Sequence, residues 1–148
     1  EMGVKIKVTN QNYELSHQKL KPAEIIMYES GDTACENILT AAALIPGKTT
    51  IKFASSNYMV QEICFFLEKL GVRIEGIGTT TISIYGIEQI NKNIEYHNSE
   101  DPIESMMWIT AAVATNSKLE VKRCPIEFLE LELYKLKKMG LKYKIIKN

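Results

Sequence analysis

The sequence predicts an α/β fold in which short strands and amphipathic helices alternate in a repeated β-α-β-α-β-β unit. Three observations carry this. Thr40 to Lys52 lies ungapped over Thr110 to Lys122, and Leu67 to Ile74 lies over Leu136 to Tyr143. A third echo sets Glu1 to Ile6 against Lys69 to Ile74. A fixed period means one supersecondary unit used repeatedly. Within each unit the apolar period switches between 2 and about 3.6 residues, the signatures of strand and helix. Apolar residues make up 45% of the 148 and charged residues 24%, a globular balance rather than a disordered one.

The elements follow in order. Val4 to Val8 alternates Val, Lys, Ile, Lys, Val, a half-buried strand, and Tyr13 to Ser16 forms a second after an Asn-Gln-Asn turn. Lys21-Pro22 breaks the chain before a short strand from Glu24 to Tyr28. Thr33 with Glu36 three residues on reads as a capping box, starting a helix from about Ala34 to Leu44 that Pro46-Gly47 ends. Thr50 to Ala54 is a strand and Ser55-Ser56-Asn57 a second cap. The next helix runs from Tyr58 to Leu70, with Val60, Ile63, Leu67 and Leu70 on one face and Gly71 just past its end. Val72 to Glu75 and Thr80 to Tyr85 make a hairpin around Gly76-Ile77-Gly78.

The pattern then restarts. A strand is expected at Ile94 to His97, a cap at Ser99 to Asp101, and a helix from Pro102 to Ala114 with Pro at its first position. Lys118 to Arg123 is a strand, Pro125 to Met139 a helix and Leu141 to Ile146 a strand. The chain thus divides into 1–86, the end of one repeat plus a complete repeat, and 87–148, most of a further repeat. Because it opens on the tail of a unit, it reads as a piece of something longer.

Charge and cysteine content narrow the function classes. The 18 basic residues balance 18 acidic ones, which argues against non-specific binding to nucleic acid or anionic membrane. Lys135, Lys137, Lys138, Lys142, Lys144 and Lys147 crowd the C-terminus, a pattern that suits a solvated helix face and a guarded edge strand. The longest apolar stretch, near Ile38 to Pro46, is far short of the ~20 residues that span a bilayer. No leader marks the chain for export, and three cysteines without CxxC spacing fit a reducing cytoplasm.

Candidate chemistry is sparse. Cys35 falls in the first turn of a helix, where the dipole lowers a thiol pKa, but no His precedes or follows it closely and its neighbours suggest packing. Cys64 reads as core, and Cys124 has no evident role. His17 and His97 lack metal spacing, so no metal and no cofactor is expected. Ser30-Gly31-Asp32-Thr33 is a glycine-containing turn at a helix start, which could offer backbone N–H groups to an anion; helix capping explains the same residues. Asp101 is a cap by position, with Glu104 adding first-turn negative charge. Arg73 and Arg123 are the only arginines, too few to clamp a phosphorylated acid.

Three segments carry a resemblance. Ala34-Cys35-Glu36-Asn37 leading to Ala42 is similar to an Ala-Thr-Glu-Asn helix start. Phe66 to Thr79 with Ile82 to Gly86 forms a second match. Asp101-Pro102-Ile103-Glu104-Ser105, followed by Ala111-Ala112, is similar to an Asp-Arg-Ile-Glu segment. With these in this order the chain resembles the enolpyruvyl transferases, in particular the branch acting on UDP-N-acetylglucosamine in peptidoglycan precursor synthesis. The resemblance implies part of an inside-out α/β barrel, two globular domains of three repeats each. This chain would hold roughly two of six repeats, with a hinge between Gly86 and Asn98.

The resemblance also implies transfer of the enolpyruvyl group of phosphoenolpyruvate to a sugar hydroxyl, with release of phosphate. The family's loop before the Glu-Asn helix touches the nucleotide sugar, which points to Ser30, Gly31, Asp32 and Thr33, and Asp101 would lie near the cleft. No cysteine here has the family's Pro-Gly-Gly-Cys context, and its Lys-Asn pair and substrate-holding arginines are absent. Ser56 stands where the family has an acid and Pro102 where it has Arg. No catalytic residue is therefore expected, and the chain is expected to be inactive alone. The alternative is a free-standing, non-catalytic repeat module for ligand binding or assembly. Exposed strand edges would allow self-association.

Overall fold

A computed structural model describes residues 1–146 in two compact units, Glu1–Tyr96 and the residues from His97 onward. In the first unit β1 (Val4–Val8) and β2 (Tyr13–His17) pair antiparallel, Val4 opposite His17 and Val8 opposite Tyr13. The main sheet has the order β3-β4-β6-β5. Its strands are β3 (Glu24–Ile26), β4 (Gly47–Lys52), β5 (Arg73–Glu75) and β6 (Thr81–Gly86). β3 runs parallel to β4, and β6 is antiparallel to both β4 and β5. The connection from β3 to β4 passes through α1 (Asp32–Ala42), the crossover a parallel pair requires. α2 (Tyr58–Lys69) links β4 to β5.

Alternation along the strands decides the layers. Thr49 and Ile51 of β4, Ile74 of β5 and Ile82 and Ile84 of β6 are buried and face the helices. α1 brings Cys35, Leu39 and Ala42, and α2 brings Val60, Cys64 and Leu67, to the same core. The i, i+4, i+7 spacing in both helices makes that stripe. Ile63 and Leu70, predicted on the buried face of α2, pack at its margin, and Cys64 occupies its centre. Each Leu or Ile so buried is worth about 1.5–3 kcal/mol. Lys48, Thr50, Lys52, Ser83 and Tyr85 lie on the other side, where Arg73 sits over the Tyr85 ring at 4.6 Å and Lys52 pairs with Glu24 at 2.9 Å.

The expected strand to Ala54 stops at Lys52, because Phe53 turns into the left-handed region at φ 59°. The expected strand to Tyr28 likewise ends at Ile26. The capping box does not form. α1 starts at Asp32 with Gly31 as cap, a residue with no side chain to make a cap bond, and the Asp32 carboxylate is held by Ser55.

In the second unit α3 (Pro102–Ala114) matches its prediction, with Asp101 Oδ1 accepting from the Ile103 amide at 2.8 Å. The predicted helix Pro125 to Met139 is two pieces, a 3-10 turn (Ile126–Phe128) and α4 (Glu130–Lys138), divided where Leu129 leaves helical geometry at φ −119°. Ile94 to His97, Lys118 to Arg123 and Leu141 to Ile146 are not strands. The reason is pairing. In the first unit β6 is the strand that binds both β4 and β5, and no counterpart of β6 follows α4 among the described residues. A strand without a ladder partner leaves its backbone groups to water, and a lone pair of strands is marginal. Lys147, the last of the clustered lysines, lies outside the described residues.

Both sheets stay open, and no helix among the described residues is long and apolar enough to cross a membrane.

Candidate functional site

The carboxyl ends of β3 and β4 lead into α1 and α2, so two helix N-termini open from the same edge of the sheet. A carboxylate joins them. Asp32, the first residue of α1, accepts a hydrogen bond from Ser55 Oγ at 2.5 Å through Oδ1 and one from Asn57 Nδ2 at 2.7 Å through Oδ2. Ser55 Oγ accepts in turn from the Asn57 amide at 3.1 Å, and the Ser55 amide donates to Cys35 Sγ at 3.3 Å. Gln61 Nε2 donates to the Ser56 carbonyl at 2.8 Å, closing the first turn of α2 from outside. Asn57 is the cap of α2 by position but gives its side chain to Asp32 instead of to the helix.

The electrostatic consequence is direct. Helix N-termini carry partial positive charge and attract anions. Here the chain supplies the anion itself, so Asp32 serves two helix starts with one carboxylate. Ser30 and Thr33 are exposed and Gly31 half-buried. Gly31 has φ −88°, and a Cβ there would meet only ordinary contacts at 3.9 Å and beyond, so its lack of a side chain is not what shapes the turn. Thr33 lies inside α1, past the Gly31 cap, and its carbonyl accepts from Asn37 Nδ2 at 2.8 Å.

Ser30, Gly31, Asp32 and Thr33 are thus contiguous at the head of α1. Asp101 belongs to the second unit, exposed, at the head of α3, beside an ion pair between Arg123 and Glu100. Sequence reasoning read Ser55 and Asn57 as a local cap and missed that they answer Asp32. No local pattern ties them to Asp32, which lies 23 and 25 residues earlier in the chain.

The thiols are placed for packing. Cys35 and Cys64 are fully buried. Burial first, then the neighbouring Glu68 and Cys35, pushes the Cys64 thiol up to about 12. Burial also raises the Cys124 thiol, against the hydrogen bond of Ser105, which lowers it. No group of three or more His, Cys, Asp or Glu suited to a metal occurs among the described residues.

Comparison with known proteins covers the chain from end to end. The family model described as EPSP synthase (3-phosphoshikimate 1-carboxyvinyltransferase) matches residues 1–148. The chain is 34% identical over 121 residues to the UDP-N-acetylglucosamine 1-carboxyvinyltransferase of Treponema denticola, covering 82% of this chain and 28% of that protein. It is 34% identical over 140 residues to the protein of the same name from Hydrogenovibrio crunogenus, covering 95% of this chain and 33% of that one. The chain therefore spans about a third of the length of the curated relatives it matches. Among solved structures, the enolpyruvyl transferase NikO from Streptomyces tendae superposes with a TM-score of 0.76 at 24% identity, over 98% of this chain and 38% of that one. At that identity the likeness speaks for the fold.

Proposed function

The chain belongs to the EPSP synthase (3-phosphoshikimate 1-carboxyvinyltransferase) family, and on that premise we propose that it forms part of a UDP-N-acetylglucosamine 1-carboxyvinyltransferase, contributes to the nucleotide-sugar cleft, and does not complete the reaction alone. The substrates of the whole protein are then UDP-N-acetylglucosamine and phosphoenolpyruvate, and its setting is peptidoglycan precursor synthesis in the cytoplasm. The observation that carries this reading is the joined opening of α1 and α2 at the carboxyl ends of β3 and β4. Ligands of open α/β sheets bind outside the carboxyl ends of strands. Ser30, Gly31, Asp32 and Thr33 are the proposed contacts on that edge, and Asp101, at the head of α3, is proposed as a substrate contact of the second unit in its own right.

The division of labour is supported by length and by chemistry. The relatives carry about two thirds of their length outside the matched region. Cys64 is a poor nucleophile, since the thiolate is the reactive form and burial disfavours it, and Cys35 is fully buried against the core. Outer strands β3 and β5 offer edges for self-association.

Calorimetry with UDP-N-acetylglucosamine and a phosphate-release assay with phosphoenolpyruvate test the proposal on the 148-residue chain. Saturable heat without phosphate release is expected. Turnover would overturn the claim of incompleteness, and absence of heat at millimolar ligand would overturn the cleft assignment.

A further inference from the structure

The chain leaves β6 at Gly86 and reaches the cap of α3 at Asp101 without a helix or a strand. Residues 87–96 of that connection nevertheless belong to the first unit. Ile87, Ile90, Ile94 and Tyr96 are half-buried, while Glu88, Gln89, Asn91, Lys92, Asn93 and Glu95 are exposed. The segment thus has an inner side although no backbone ladder holds it.

Contacts fix it at its root, its middle and its tip. At the root the Ile87 amide donates to the Ala43 carbonyl at 2.9 Å, and the Ile87 side chain packs against the core. In the middle Lys92 lies over the end of α2, where Gly71 has no side chain. A Cβ on Gly71 would stand 3.2 Å from Lys92 Nζ and 3.3 Å from its Cε. A cation there suits the negative end of a helix. At the tip the Tyr96 hydroxyl donates to Glu62 Oε1 at 3.0 Å, and its ring meets Phe66 edge-on, the centroids 5.3 Å apart. Glu62 and Phe66 are four residues apart on α2, so one face of the helix receives both the ring and the hydroxyl. Burial, then the hydrogen bond and charge of Glu62, push the Tyr96 hydroxyl up to about 12, which keeps it a donor at neutral pH.

The root is held by backbone and core, whereas the middle and tip are held by side chains at the surface of α2. The segment can lift from Tyr96 back toward Ile87 while the core stays closed. Few apolar contacts and solvent-accessible bonds are the marks of a segment that opens locally.

We propose that residues 88–96 are a latch on α2, with Tyr96 as its catch, and that the latch sets the length of the connection to α3. Closed, the connection runs five residues from Tyr96 to Asp101 and spans at most about 17 Å. Open, it runs 14 residues from Ile87 and spans at most about 48 Å. The hinge expected between Gly86 and Asn98 then begins only after Tyr96 while the latch is shut.

Limited trypsin digestion of the 148-residue chain, followed by mass spectrometry, tests this, because Lys92 is a cleavage site inside the latch. When opening and closing outpace cleavage, the rate follows the open population. Cleavage after Lys92 should be far slower in the wild type than in a free peptide of residues 86–98. Tyr96→Phe keeps the ring and removes the hydrogen bond, and should speed cleavage about tenfold, the scale for a bond to a charged acceptor. Tyr96→Ala also loses the ring contact and should add about two- to tenfold more. In the Tyr96→Ala background, Phe66→Ala should add less than about twofold, since the two rings act as a pair.

Exchange of the Ile87 amide separates an opening latch from a loosened protein. It should stay as slow in the Tyr96 variants as in the wild type, because the root is untouched. Cleavage after Lys92 as fast as in the free peptide, or equal in wild type and Tyr96→Ala, overturns the proposal. So does Ile87 exchange that quickens in step with cleavage.

Discussion

Asp32→Ala should be the most costly polar substitution in the first unit. The carboxylate accepts from Ser55 Oγ at 2.5 Å and from Asn57 Nδ2 at 2.7 Å, both part-buried. Hydrogen bonds to a charged group contribute about 1.5–3 kcal/mol each, and the two share one acceptor group, which places their joint worth toward the lower end. A carboxylate in the first turn adds about 0.3–1 kcal/mol through the helix dipole. Together these give about 2–4 kcal/mol. At a urea slope of about 1.5–2 kcal/mol per molar, the midpoint falls by roughly 1–2.7 M.

The readout should be hydrogen exchange at the α2 amides, since the only tryptophan, Trp108, lies in α3 of the other unit and serves as an internal control. Asp32→Asn should not rescue fully, because its amide nitrogen would meet the donor Nδ2 of Asn57. A double-mutant cycle with Ser55→Ala should give a coupling of about 1 kcal/mol or more. A loss below about 0.5 kcal/mol for Asp32→Ala, the scale of an ordinary surface change, would refute the view that the carboxylate joins the two helices.

Other outcomes follow from the core and the thiols. Ile51→Ala, at a fully buried position in β4, should cost about 2–5 kcal/mol by chemical denaturation. Gly86→Ala should be at least as damaging, because a Cβ there would lie 2.1 Å from the Ile45 carbonyl oxygen and 2.2 Å from that of Ala42; loss of α1 protection in hydrogen exchange checks it. Iodoacetamide should label Cys124 first, with Cys35 and Cys64 reacting only on unfolding, as read by mass spectrometry. Cys64 is raised from the ordinary 9.0 to about 12, so its contribution to stability is full below pH 9 and is lost as pH rises from there through 12. The unfolding midpoint of the wild type should fall more steeply over that window than that of Cys64→Ala.

The first unit was legible because its signals are local and agree with one another. Alternation in Val4 to Val8, the apolar stripe of α2 and the glycines of the β5–β6 turn each point to the element that forms, although β1, expected half-buried, is exposed along its whole length. Its failures are tertiary. Thr33 and Glu36 spell a capping box, yet Asp32 is pulled to Ser55 and Asn57, 23 and 25 residues away, and the helix starts two residues earlier, at Asp32. No local pattern reports that bond. Phe53 gave no warning either, since its left-handed φ is imposed by the neighbours that hold Lys52 and Ala54. Of the candidate site, the Ser30 to Thr33 turn was visible in sequence, while the two partners that shape it, Ser55 and Asn57, were not.

The second unit tests what a repeat needs in order to fold as its copy does. Lys118 to Arg123 copies most of β4 in sequence, and it is not a strand. In the first unit β4 is held by six residue pairs to β6 and only three to β3, so the antiparallel partner carries most of the ladder. Parallel pairing alone is the weaker kind and needs the crossover helix packed on a formed sheet. If this is the cause, cutting the chain between Tyr96 and His97 should be harmless to the sheet. The 1–96 piece should keep slow exchange at Ile51, Ile82 and Ile84 and unfold cooperatively. The other piece should show protected amides in α3 and none at 118–123. Protection at 118–123 in the isolated second piece would mean that the copy can build its strand without a central partner, and the pairing explanation would fail.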